Sequence, residues 1–486
     1  MPSPAKAAND LAQWTLVLFR DELRLADNRA FTRAVALGQP IIAVYVDETP
    51  DLRLRTMGDA ARWWLHQSLS SLQKKLAARG IELLFFRGAT DQVVPSLAAK
   101  LRAKSVVWSR RYGAADRGVD AQLKTTLSQQ NIQAESFNDR LLYEPWEVKP
   151  QSSDYFKVFT PFWKAATRIE PSEALPPPAT GHLAKPRLPA KLGNVTLSAL
   201  GFLPRKPDWA GGLRAAWVPG EAGAEAALER FITSHLDGYA DARDRPDLMA
   251  TSGLSPQLRF GEIGVRQIWQ SMQRVTAMQD APSRDADKFR AELGWREFSY
   301  HLLFHQTDLA TRCVQPRFEN FAWTKTSPHM AAWQQGQTGY PVIDAGMRQL
   351  WHSGWMHNRV RMIVASFLVK HLLVDWRAGE AWFWDTLVDA DPASNPASWQ
   401  WVAGCGADAA PYFRIFNPVL QSQKFDPDGL YIKRWIPELA NIDASDIHTP
   451  WVMLGAASQT LRYASPIIDL SVGRARALAA LAAIAG

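Results

Sequence analysis

Between Gly354 and Trp401 the chain gathers side chains suited to gripping a flat, polar, aromatic ligand. The stretch begins GWMHNRVRMIVASFLVKHLLVDW and closes with VDADPASNPASWQW. At helical spacing, Val360, Val364 and Phe367 share one apolar face, while Asn358, Arg361, Met362 and Ala365 share the opposite one. Amphipathicity alone would make that second face a solvated one. The closing residues argue against it: Asp389, Asp391, Asn395 and Trp399 set acceptors and an amide against large rings. Arg361 and Asp389 are expected to pair, because a buried guanidinium needs a carboxylate and its fork allows two parallel bonds.

The scaffold for these residues is legible in the rest of the chain. Short apolar runs at 14–19, 41–46, 81–86, 105–108 and 132–137 alternate with helical patterns such as Ala60 to Ala78, which predicts a doubly wound parallel sheet. No GxGxxG follows the first run, so a conventional dinucleotide site is not supported there. Arg20, Arg24, Asp27 and Asn28, just past that strand, could hold a ligand or cap the next helix. From about Leu142 to Gly220 prolines interrupt regular structure and predict a long surface connector. Within it FKVFTPFWKAA, Phe156 to Ala166, is aromatic enough to pack into the second domain. Beyond Glu221 the pattern is helical to about Tyr463, and the alanine-rich tail is read as a last helix or frayed end. The expected division is 12–141 for an α/β N-terminal domain, 142–220 for the connector and 221–475 for an all-α C-terminal domain.

Composition narrows the class. Two cysteines among 486 residues exclude a disulfide framework and a four-thiolate iron–sulfur cluster. With no spanning apolar run and no apolar core in the opening MPSPAKAAND, a cytoplasmic protein is expected, with no membrane partner. A net charge of +7 favours a polyanionic partner, though weakly by itself. HEXXH and GXSXG are absent from the sequence, and no metal site is expected.

Several long motifs, from TLVLFRDELRLADN to PYFRIFNPVLQSQKFD, agree in order and spacing with one family. The chain resembles the DNA photolyases and cryptochromes, most closely the class I photolyases that repair cyclobutane pyrimidine dimers. The resemblance implies FAD, active in its reduced anionic form, and damaged DNA as partner to what is expected to be a monomer. Tyr239 with Thr251, Ser252, Gly253, Leu254 and Ser255 would cradle the FAD phosphates, although the same run alone reads as an ordinary helix cap with proline behind it. Asn358, Arg361, Asp389, Asp391 and Asn395 would hold the isoalloxazine end; Asp391 before Pro392 could equally be a plain cap. Asparagine at 395 cannot ionise, and is read as favouring the anionic reduced flavin.

The same resemblance implies a lesion pocket. Glu292 would hydrogen-bond the dimer, with Trp295 and Trp401 as aromatic walls and Arg296, Asn358, Arg359 and Met362 beside them. Stacking worth roughly 1–3 kcal/mol per base would help offset flipping the damaged dinucleotide. Arg243, Arg359, Arg414 and Lys424 are candidate phosphate contacts. Trp323, Trp376 and Trp399 match the family's electron-transfer triad; by themselves, three rings among 21 tryptophans would be core packing. An antenna, folate or deazaflavin, would sit in the first domain near Arg55 and Arg110 to Gly113, and the residues do not decide its identity or presence. Two other readings stay open: a cryptochrome-type blue-light sensor, and repair of the six-four photoproduct, whose enzymes place histidines where this chain has NRVRM.

Overall fold

The computed structural model describes residues 13–184, 188–189, 191–277, 284–324, 327–408, 413–454 and 463–484. The expected strands form as β1 (Thr15–Phe19), β2 (Ile41–Asp47), β3 (Leu83–Arg87), β4 (Ser105–Ser109) and β5 (Gln133–Phe137). They alternate with helices α1 (Arg29–Ala36), α2 (Asp59–Ala77), α3 (Thr90–Lys100) and α4 (Ala114–Gln129). All pairings are parallel, in the order β3-β2-β1-β4-β5. The apolar runs of β1, β2 and β4 are buried throughout, as a sheet covered by helices on both faces requires. At the β3 edge Val195 of the connector donates its N–H to Phe85 O at 2.8 Å and closes part of the open ladder.

The charged residues after β1 turn out to be structural. Asn28 caps α1, accepting from Phe31 N at 2.8 Å, and Arg24 donates to three backbone carbonyls, Gly261, Asp27 and Asp139. Arg20 forks onto Asp120.

The second half is helical. Helix α5 (Phe159–Ala166) leaves the connector and packs on α6 (Arg284–His305), with Phe159 stacked on Trp295 at 3.8 Å and Phe162 against Phe298. Gly294 is obligatory here, because a Cβ would lie 2.6 Å from the Trp163 ring. Four further helices frame the core: α7 (Pro341–Ser353), α8 (Asn358–Ser366), α9 (Trp376–Thr386) and α10 (Ser394–Ala403). A π-helical turn, Phe367–His371, continues α8. The tail forms α11 (Leu470–Ala482), which runs beyond 475 and seats Gly473 against His371 of that turn. Among the described residues no helix is long and apolar enough to cross a membrane.

Candidate flavin and DNA site

Helix α8 buries Val360, Ile363 and Val364 and leaves Arg361 and Met362 half-buried and Asn358 exposed. The polar face is therefore not packed away. Gly354, in the left-handed region at the end of α7, accepts at its carbonyl from Val388 N at 2.8 Å and thereby holds the Asp389 segment beside α8. The expected pair forms through one bond only: Arg361 donates to Asp389 Oδ2 at 2.8 Å and its Nε to Met356 O. Asp389 Oδ1 is buried without a hydrogen-bond partner. Such an acceptor needs a donor from water or a ligand, as do the open buried oxygens of Glu22, Asp27 and Glu262 elsewhere.

Asp391 is occupied otherwise. Its Oδ1 accepts from Ala393 N and Ser394 N at the start of α10, and its Oδ2 accepts from the Tyr300 hydroxyl at 2.7 Å. Arg140 in turn donates to that hydroxyl and to Glu22. Burial alone would raise the Asp391 carboxyl, but Arg259, Arg296 and Arg140 overrule it and hold it below the usual range. The capping reading describes its contacts, and any hold on a ribose or flavin ring would be additional to them.

Asn395 is fixed from behind. Its Nδ2 donates to Glu380 O at 3.1 Å and to Glu380 Oε1 at 2.8 Å. Glu380, 2% exposed, is itself clamped by both guanidinium nitrogens of Arg55 at 2.7 Å. Because both partners of the amide nitrogen are acceptors, the amide has one orientation, with Oδ1 left over. Arg55 lies in the loop after β2, 325 residues from Glu380, and sits 4.0 Å over the Trp384 ring. No local pattern could have revealed this clamp. It takes Arg55 away from the antenna wall expected of it, while Arg110 pairs with Glu144 and Arg111 with Glu48.

The Thr251–Ser255 run leads into a short helix, Ser255–Arg259, whose cap residue is Leu254, without a side-chain capping bond. The serine does not cap; Ser255 Oγ accepts from Trp355 Nε1 at 3.2 Å. Gly253 takes φ +65°, which a side chain would resist. Ser252 Oγ accepts from Leu254 N at 3.4 Å, while the N–H groups of Ser255 and Gln257 have no side-chain cap and stay open to a phosphate. Tyr239 is buried against Phe231 and Phe289 with the Arg243 guanidinium over its ring.

Of the expected lesion residues, Glu292 and Arg243 share an ion pair, joined by Lys288 at 3.5 Å on the same Glu292 oxygen. Trp295 is half-buried in its stack with Phe159. Arg296 faces elsewhere: its guanidinium donates to Arg140 O at 2.9 Å and lies over the Tyr300 ring, so it braces the seam between the domains. This corrects its placement among the DNA contacts; adjacent positions on α6 point in different directions, as helical geometry demands. Arg359 pairs with Asp244 at 2.7 Å and covers the Phe425 ring, and it lines a groove of about 1320 Å³ with Arg414, Lys424 and Phe425. Trp401 lines a smaller recess that shares Arg414 and Phe416 with this groove. His357 is a buried cap that accepts from Arg359 N.

Trp399 and Trp376 are buried and Trp323 half-buried, and none of their ring N–H groups donates to a nitrogen or oxygen acceptor. Gly379 lets the Trp399 ring lie on α9, where a Cβ would stand 2.2 Å from it. Thr324 pairs with Val374, which brings the Trp323 segment beside the start of α9.

An α/β sheet joined to a helical half that keeps a buried carboxylate oxygen open beside Arg361 defines a protein of two domains with a ligand site among its helices. Residues 15–179 match the family model for DNA photolyase, and residues 289–483 that for the FAD binding domain of DNA photolyase. The chain is 45% identical to the deoxyribodipyrimidine photo-lyase of Agrobacterium fabrum, over 96% of this chain and 98% of that one. It is 35% identical to cryptochrome-2 of Arabidopsis thaliana, over 95% of this chain and 77% of the relative. Its fold superposes on a class III photolyase from Agrobacterium tumefaciens with TM-score 0.92 and 44% identity, covering 97% of this chain and 98% of the other. The chain belongs to the DNA photolyase and cryptochrome family, and it is an enzyme of the photolyase type. The closeness to class I read from the sequence gains no support here, since that neighbour is named class III.

Proposed function

We propose that the protein repairs cyclobutane pyrimidine dimers in UV-damaged DNA, using light and reduced anionic FAD. The observation that carries this reading is the half-made pair among the helices: Asp389 holds Arg361 with one oxygen and leaves the other buried and open, while Arg55 and Glu380 fix the Asn395 amide in one orientation. When bound, reduced FAD supplies the electron that light sends to the dimer and that returns once the cyclobutane ring has split. Arg361 and Asp389 orient the ring system, and the uncapped start of Ser255–Arg259 takes the phosphates. Asn395 offers Oδ1 as an acceptor at the flavin's reactive nitrogen, since its Nδ2 is spent on Glu380. Asp391, anchored on Tyr300, stays ionised at neutral pH and ties that end of the site to the first domain.

On the DNA side, Trp295 and Trp401 supply the aromatic surfaces against which the flipped dinucleotide stacks. Glu292 hydrogen-bonds the dimer edge after exchanging its bond to Arg243, which is then released toward phosphate. Arg359, Arg414 and Lys424 line the groove along which the backbone runs. Such contacts set affinity and its salt dependence, and leave sequence choice weak. An antenna chromophore, if carried, belongs at the carboxyl edge of the sheet, where open α/β sheets bind ligands.

Competition binding tests the lesion pocket. A dimer-containing oligonucleotide is expected to bind at least tenfold more tightly than its undamaged twin. Equal competition by the undamaged strand would remove the lesion pocket and favour a cryptochrome-type sensor, for which the relative from Arabidopsis is the argument.

A further inference from the structure

The chain has only two cysteines, and the fold places both in the hydrophobic core that also holds Trp376. Cys313 is 7% exposed and Cys405 not at all, and both are free thiols. Their segments are laced together: Gln315 N donates to Cys405 O at 2.9 Å, while Gln400 Oε1 accepts from Val314 N at 2.9 Å and from Cys405 Sγ at 3.8 Å. Arg377 joins the pair to the tryptophan. Its guanidinium lies 4.9 Å over the Trp376 ring and reaches Cys313 Sγ at 3.8 Å, with Glu319 and Asp375 balancing its charge.

The two thiols are unequal. The Cys405 thiol, the Trp376 indole and the Arg377 charge pull Cys313 below the usual thiol range, against the effect of burial. Burial, followed by Cys313 itself, pushes Cys405 well up. One thiol drawn down and one pushed up, on segments laced together, is the asymmetry of a reactive dithiol.

We propose that Cys313 and Cys405 are a resident two-electron donor that refills Trp376 during light-driven reduction of the flavin and ends as a disulfide. This rests on the reading that Trp399, Trp376 and Trp323 carry electrons to the flavin. The balance closes without an added reductant. Two light-driven transfers each leave an electron vacancy on Trp376; Cys313 fills the first and loses its proton, and the sulfur radical joins Cys405 Sγ as that thiol's proton leaves. The resulting three-electron sulfur–sulfur bond gives up one electron to fill the second vacancy and becomes an ordinary S–S bond. In sum, two thiols lose two electrons and two protons; FAD takes both electrons and one proton, and the other proton goes to solvent.

The test is to illuminate the FAD-loaded protein anaerobically without added donor, then count thiols after denaturation and look for the Cys313–Cys405 cross-linked peptide by mass spectrometry. Two thiols are expected to be lost per flavin reduced, with none lost in the dark. Cys313→Ala is expected to lose this donor-free reduction at least tenfold, yet to be reduced normally when a non-thiol donor such as EDTA is supplied. Flavin reduced with both thiols intact would overturn the proposal, as would wild-type protein that is reduced only with EDTA. Failure of reduction even with EDTA would sink the tryptophan-chain reading, and the proposal with it.

Discussion

Arg20, Arg53 and Arg111, near the carboxyl edge of the sheet, each close on carboxylates: Asp120 for the first, Asp51 and Asp91 for the second, Glu48 and Asp116 for the third. Around α8 the pairing stops halfway, and Asp389 keeps one oxygen bonded and one open. Both regions carry the same residue types. Asp120, Asp51, Asp91 and Glu48 have both oxygens hydrogen-bonded and Asp389 only one. Since Glu22 and Asp27 also keep a buried oxygen open, what sets Asp389 apart is its place beside the half-buried polar face of α8.

Removing one carboxylate from each region should have the largest and most clearly opposed effects. Asp389→Ala should lower FAD affinity at least a hundredfold while leaving a folded protein, read by flavin absorbance against protein mass after purification. Asp120→Ala should do the reverse, costing about 3–5 kcal/mol in guanidinium unfolding because buried Arg20 is left unpaired, with FAD retained by the folded fraction. FAD loss from both variants in equal measure would erase the distinction between the regions.

Asn395→Asp comes next in size. The new carboxylate would face Glu380 at the place where the amide nitrogen now donates at 2.8 Å, so the two acids must share a proton. FAD should stay bound, while its reduction pattern in absorption spectra shifts toward the neutral radical; an unchanged pattern would refute the role given to this amide.

The seam between the regions should respond to pH. Burial pushes the Glu262 carboxyl up to about 7 against bonds from Ser68, Gly220 N and Trp64, and burial likewise lifts Glu297 to about 7. An acid raised on folding favours the native state most when protonated, so this contribution is full below the ordinary carboxylate range, fades as pH rises to about 7 and is flat above. The thermal midpoint should fall between pH 5 and pH 8 from this source, and Glu262→Gln should flatten the fall. The smallest effect belongs to the groove: Lys424→Ala should lower the salt slope of DNA binding by about 1 without changing preference for the lesion.

The alternation of strands with helices and the apolar face of α8 were legible because both rest on local pattern, short continuous apolar runs for buried parallel strands and a period of 3.6 for helices. The Arg361–Asp389 pair was legible because a guanidinium on a half-buried face demands an anion nearby. Arg55 was not, since its partner Glu380 lies 325 residues away and only the packed domains bring them together. Arg296 shows the opposite failure: its place in the GWREF motif drew it toward the lesion, while its side chain turns to Arg140. Asp391 was left between cap and ligand, and the structure shows both of its oxygens already engaged.

The assignment of the helical site stands or falls on light-dependent restoration of a dimer-containing oligonucleotide by the chemically reduced, FAD-loaded protein, read by chromatography beside a dark control. Restored thymines under blue light and none in the dark are the predicted result. An intact dimer after illumination, with FAD bound and reduced, would contradict it.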